Sequence, residues 1–190
     1  MGSALFPTEK ENSVRGKGVN ALKEWTGRAR ASTIHDSAVD EFTTDGLFEK
    51  VQGKRNIALV GFTTEGDVFG GFYSVAVTEQ DIVFYDPNMF VFSFESHGRC
   101  ETPQRFGVKE ERKEKAYVRF FKNDNQGFVV FWFGSCGFVL GDERSNSWCY
   151  SLSVAFEGLK NTTLTGQNNA GGWREGPNHH CTRLVAVQLE

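Results

Sequence analysis

Gly53-Lys-Arg-Asn-Ile-Ala-Leu-Val-Gly-Phe-Thr-Thr-Glu-Gly-Asp-Val-Phe-Gly-Gly-Phe-Tyr-Ser74 is the stretch whose reading decides the fold. Ile57 to Thr63 and Val68 to Val77 are short apolar runs rich in β-branched and aromatic residues, and both predict strands. Thr64-Glu65-Gly66-Asp67 between them predicts a tight turn, with glycine taking a conformation that other residues resist. Gly70-Gly71 lies inside the second run, between Phe69 and Phe72. Glycine weakens a strand, so such a pair predicts a bulge or the close approach of another backbone or ring. No acid, base or nucleophile stands out here, so the stretch marks a β core.

The flanking sequence extends this reading. Met89 to Glu95 alternates Phe90, Phe92 and Phe94 on one face of a strand. Gln80 to Pro87 reads as a further short strand closed by Asp86-Pro87-Asn88. Lys115 to Phe121, Gly127 to Phe133 and Cys136 to Leu140 read as a meander, followed by strands at Trp148 to Phe156 and Arg183 to Glu190. Ser96 to Lys113 and Thr165 to His180 read as loops. Thr43-Thr44-Asp45 supplies caps for a short helix through Val51 that Gly53 ends. Val19, Leu22, Trp25 and Ala29 recur at helical spacing between Lys17 and Arg30, with basic residues among them, after a polar stretch through residue 16. That segment is either a helix packing Trp25 on the main body or a basic recruitment arm. The expected fold is mainly β (α+β): two packed antiparallel sheets, a β-sandwich, with a few short flanking helices. Residues 1–32 form a basic extension and residues 33–190 the domain.

Composition agrees. Eighteen phenylalanines against two methionines, with 21 glycines, suit a sheet-rich core better than a helix bundle. The net charge of −3 predicts a soluble protein and argues against wholesale coating of nucleic acid. Lys10, Arg15, Lys17, Lys23, Arg28 and Arg30 nevertheless outnumber Glu9, Glu11 and Glu24 in the first thirty residues. No window approaches the roughly 20 apolar residues of a membrane helix, so no membrane insertion is expected. Met1 to Pro7 lacks the charged and apolar regions of a secretory signal, and Phe6 stands where a myristoylation motif needs Ser or Thr. A reducing cytoplasmic or nuclear compartment follows, with Cys100, Cys136, Cys149 and Cys181 mostly free.

The order of these elements resembles the TLDc domain of eukaryotic oxidation-resistance proteins. The resemblance covers about residues 33 to 190. It rests on the hairpin with Val68-Phe69-Gly70-Gly71-Phe72, on Phe92-Ser93-Phe94 closed by Glu95, on Phe138 to Gly141 with Ser147-Trp148-Cys149, Phe156 and Leu164, and on the closing Leu184 to Gln188. Lys109 to Lys115 is more charged than the family pattern, and Thr165 to His180 departs from it. The resemblance implies a β-sandwich flanked by short helices and a non-enzymatic adaptor in oxidative stress. Several members bind and regulate the vacuolar proton ATPase. Its partner-binding glycines carry over onto Gly70, with Gly71 beside it, and onto Gly137 and Gly141. These glycines are equally explained as places where strands pack closely.

Other constellations carry chemistry on their own residues. His97 with Cys100, and His180 with Cys181, are zinc-ligand types, but without a repeating ligand spacing. Cys100 beside Arg99 and His97 is the local candidate for a redox thiol, since positive charge favours thiolate. Loop histidines and free thiols explain both constellations, and no cofactor or metal is expected. Arg105, Lys109, Arg112, Lys113, Lys115, Arg119 and Lys122 interleave with Phe106, Tyr117, Phe120 and Phe121. That mixture suits phosphate contacts with ring stacking, and makes a sequence-specific DNA-binding regulator the alternative reading. A solvated, salt-bridged loop leading into a core strand explains it as well.

Overall fold

A computed structural model of the chain describes residues 9–122, 129–133, 136–140, 148–165 and 179–190. Its centre is the expected hairpin. Strands β2 (Ile57–Thr63) and β3 (Val68–Tyr73) pair antiparallel and are buried along their whole length. Ile57 and Leu59 face a core between two sheets, whereas Ala58, Val60 and Phe62 face a second apolar cluster on the opposite side. Burial on both faces is why this strand reads as a continuous apolar run rather than an alternating one.

The first sheet has six strands in the order β1-β11-β2-β3-β5-β6, adding β1 (Ala31–Asp36), β5 (Phe90–Glu95), β6 (Gln104–Gly107) and β11 (Cys181–Leu189). The second has five, in the order β10-β9-β8-β7-β4: β4 (Phe84–Tyr85), β7 (Ala116–Phe120), β8 (Val129–Phe133), β9 (Cys136–Leu140) and β10 (Trp148–Tyr150). Leu59, Phe69 and Val91 of the first sheet share one core with Val118, Phe120 and Leu140 of the second. The protein is therefore an α+β sandwich of two antiparallel sheets.

A third layer covers the outside of the first sheet. Helix α1 (Glu9–Thr26) puts Gly18, Leu22 and Trp25 on one face. Trp25 meets Phe90, Phe92 and Phe94 at 6.1, 6.3 and 6.3 Å between ring centroids. A Cβ on Gly18 would lie 2.4 Å from the Phe94 ring, so the helix approaches closer than any side chain allows. Packing is thus the role of Trp25. The helix begins at Glu9 rather than Lys17 and stops before Ala29, because Gly27 turns left-handed at φ +66°.

Helix α2 (Thr44–Val51) has the expected cap: Thr43 Oγ1 accepts from the Gly46 N–H at 3.1 Å. Its Leu47, Phe48 and Val51 are buried. Three expectations are corrected. Ser96 to Lys113 is not all loop: it contains β6 and the start of a 3-10 helix, Glu110–Lys115. The expected strand Trp148 to Phe156 ends at Tyr150, where Ser151 takes φ 48° and turns the chain into α3 (Leu152–Ala155). The strand expected at Gln80 to Pro87 shrinks to β4, since Asp81 also adopts a positive φ of 61°. Among the described residues no helix is long and apolar enough to cross a membrane.

At the β1–β11 edge, Asp36 and Arg183 form a bidentate pair at 2.8 and 2.6 Å, with the guanidinium 5.4 Å from the Phe62 ring centre. Beside them, His35 is 1 % exposed. Burial lowers its pKa, opposed by Asp40 and Asp36 and assisted by Lys50.

Candidate interaction site

The β2–β3 turn is held by its own backbone. Gly66, at φ +87°, donates to the Thr63 carbonyl at 3.0 Å, and Asp67 donates from its N–H to Thr63 Oγ1 at 3.1 Å. Thr64 N–H donates to the His180 carbonyl at 3.0 Å, which ties the turn to the approach to β11.

Asp67 is 2 % exposed, and a carboxylate there requires charged partners. It has two: Arg99 Nη2 lies 2.5 Å and His97 Nδ1 2.9 Å from the same Oδ1. Arg99 also donates from Nε to the Thr163 carbonyl at 3.0 Å and from Nη2 to that of Leu164 at 3.1 Å. One guanidinium therefore joins the hairpin, the turn after β5 and the 163–164 segment. His97 and Gly98 both take positive φ, 50° and 81°, and Glu95 Oε1 accepts from the N–H groups of Ser96 and His97. The His97 ring is half-exposed and lies over Gly66. Beneath the turn, His179 meets Phe69 edge-on at 5.1 Å, and the Cys149 thiol is buried, with its pKa pushed well up by desolvation and by nearby Cys181 and Asp67. The result is a rigid hairpin end that presents one polar ring to solvent.

The sequence singled out neither Asp67 nor Arg99 as partners. They are 32 residues apart, and no local pattern joins them. His97 and Arg99 turn to Asp67 rather than to Cys100, whose N–H donates to Ser96 Oγ at 2.7 Å and whose side chain packs half-buried against the core. Cys100, Cys149 and Cys181 are free thiols. Cys181 is fully buried and His180 half-buried at the head of β11. Among the described residues no group of three or more His, Cys, Asp or Glu gathers to hold a metal.

Gly70 and Gly71 are buried within β3. A Cβ at Gly70 would sit 1.8 Å from the Leu59 carbonyl oxygen and 2.9 Å from Phe92 Cζ, the close approach that the sequence implied. Gly137 lies in β9, opposite Trp132 and Tyr150, and Gly141 lies outside the described residues.

The basic segment is divided between the two sheets. Arg105 stands on β6, where its Nη1 donates to the Trp25 carbonyl at 2.8 Å. Lys109 donates to the Ser153 carbonyl at 2.9 Å. Arg112, Lys113 and Lys115 alternate with Glu110, Glu111 and Glu114 on the 3-10 helix, with Lys113 paired to Glu110. Arg119 on β7 pairs with Asp81 at 3.2 Å and covers the Phe121 ring, and the Lys122 N–H reaches Asp81 at 3.4 Å. Phe106, Phe120 and Phe121 are buried, while Tyr117 is half-buried against Tyr85. Phe106 and Phe120 belong to the core between the sheets, Phe121 is buried beneath Arg119, and of the four rings only that of Tyr117 is part-exposed.

The TLDc domain model matches residues 19–171, from α1 through the 163–164 segment that Arg99 holds. No curated protein matches the chain in sequence. With the sandwich, the β2–β3 hairpin and that match in agreement, the chain belongs to the TLDc domain family of oxidation-resistance proteins.

Proposed function

We propose that this protein is a non-enzymatic adaptor of the oxidative-stress response that docks on a protein partner through its hairpin end, with the vacuolar proton ATPase the first partner to test. Family membership supports the stress role. The observation that carries the docking surface is the Asp67 hub: the buried carboxylate holds His97 and Arg99, Arg99 in turn holds the 163–164 segment, and the His97 ring is left facing solvent. A surface already ordered loses little conformational entropy on binding. Gly70 would act indirectly, because it is buried beneath this end and shapes the hairpin rather than touching a partner.

Affinity capture from native lysate, with and without nuclease and read by mass spectrometry, tests the reading. Proton-ATPase subunits that survive nuclease and are lost in His97→Ala support it. Failure to capture any such subunit, with organelle acidity unchanged on depletion, overturns the ATPase assignment. Chromatin proteins lost on nuclease treatment would favour nucleic-acid binding instead.

A further inference from the structure

A cleft of about 270 Å³ lies at the opposite end of the β2–β3 hairpin from the Asp67 turn, lined by Asn56, just before β2, and Ser74, just after β3. Phe72 and Phe90 adjoin it but are buried, and Trp25 and the Arg105 guanidinium already pack on Phe90. The side chains left to meet a ligand are therefore polar: Arg28, Arg105, Asn56 and Asn88. Arg105 is held in place from two directions, 5.6 Å from the Phe90 ring centre and by the hydrogen bond from its Nη1 to the Trp25 carbonyl. Its Nε and Nη2 donors have no partner among the described residues. Arg28 is exposed, and the end of α1 makes no use of its side chain. The Leu22, Lys23, Glu24 and Trp25 carbonyls accept instead from Thr26 Oγ1, the Arg28 N–H, the Gly27 N–H and Arg105. Among the described residues neither arginine is paired with a carboxylate, and the side-chain amides of Asn56 and Asn88 have no partner. One acid adjoins the wall. Asp86 is fully buried and accepts from the Ser74 N–H and O–H and from the Asn88 N–H, so two guanidinium charges outweigh it and leave the cleft positive.

We propose that this cleft binds the phosphate group of a phosphomonoester, carried either by a small soluble molecule or by a lipid headgroup. The phosphate oxygens accept from the free donors of Arg105 and from Arg28, and the Asn56 and Asn88 amides complete the set. A phosphate group suits planar guanidinium forks, and Arg105 is already fixed, so little of its freedom is lost on binding. The volume is below the roughly 300–1,000 Å³ of drug-sized pockets, which limits the occupant to the phosphate and a short polar stem. This site is independent of the docking surface at the Asp67 turn, and either can fail alone.

The test titrates the full chain, in phosphate-free buffer, with glycerol 3-phosphate by calorimetry and with phosphatidylcholine vesicles carrying phosphatidate by co-sedimentation. Arg105→Gln is expected to weaken binding about tenfold. It also removes a contact to α1, so Arg28→Gln, at an exposed position outside any helix or strand, is the second variant, with a similar loss and an unchanged melting temperature. Lys160→Gln removes the same charge from an exposed residue that does not line the cleft, and is expected to leave affinity unchanged. Binding of glycerol 3-phosphate that either arginine variant weakens supports the proposal with a soluble ligand. Binding confined to the phosphatidate vesicles, and weakened by the same variants, supports it with a lipid headgroup. No binding of either probe overturns it, as does affinity unchanged in both arginine variants. An equal loss in Lys160→Gln also overturns it, because the attraction would then belong to the overall charge and not to the cleft.

Discussion

Gly70→Ala is expected to be among the most damaging single-methyl additions in this protein. The new Cβ would lie 1.8 Å from the Leu59 carbonyl oxygen and 2.9 Å from both the Leu59 carbonyl carbon and Phe92 Cζ. A ring can turn aside, but Leu59 is backbone of β2, held in register by β3 on one side and β11 on the other. Relief therefore requires parting β2 from β3 in the centre of the sheet. Overpacking a rigid core costs about 1–3 kcal/mol, and a clash with backbone puts this change at about 3 kcal/mol. For a domain of this size that lowers Tm by about 6–12 °C. Gly107→Ala is the control: it stands on edge strand β6 with nothing within 4 Å of its Cβ, and is expected to be nearly neutral. Circular-dichroism melts and urea midpoints of both variants measure the difference. A Gly70→Ala protein within 1 °C of wild type, or one that loses a partner without losing stability, would refute the view that Gly70 acts through the sheet.

Three further outcomes follow from the same packing. Arg183→Leu leaves Asp36 buried without its bidentate partner and is expected to cost about 3–5 kcal/mol, read from urea midpoints. His35 has a folded pKa below its unfolded value of 6.5, so between the two the unfolded chain binds more protons and stability rises with pH. Its stabilising contribution is complete above pH 6.5 and is lost as the pH falls towards the folded pKa; His35→Asn should flatten that slope in midpoints measured from pH 5 to 7.5. Brief maleimide treatment of folded protein should modify Cys100 before Cys149 and Cys181, which are buried, as mapped by peptide mass spectrometry; equal labelling would contradict the packing.

The strands that could be read directly are those whose own sequence contains the reason for the fold. β2 and β3 carry apolar runs around a glycine turn, and β5 alternates its phenylalanines. β1 and β6, Ala-Ser-Thr-Ile-His-Asp and Gln-Arg-Phe-Gly, are polar edge strands whose extended form comes from pairing with β11 and β5. The basic segment is contiguous in sequence, but its turn from β6 into β7 sends Arg105 and Arg119 to different sheets. The Asp67 hub was illegible for the opposite reason. Residues distant in sequence meet because a buried carboxylate needs them, and that need exists only once the hairpin is packed.

The place of β11 has a consequence for how this protein is made. It follows every other strand in the chain, yet it lies between β1 and β2, and Arg183 reaches Asp36 across 147 residues. During synthesis β2 must wait with an open edge on one side while the rest of both sheets emerges from the ribosome. Closing so long a loop is slow, since the entropy is lost before the pairing compensates it. Premature termination before Cys181 would leave an apolar strand edge permanently unpaired, a species suited to capture by chaperones or to aggregation.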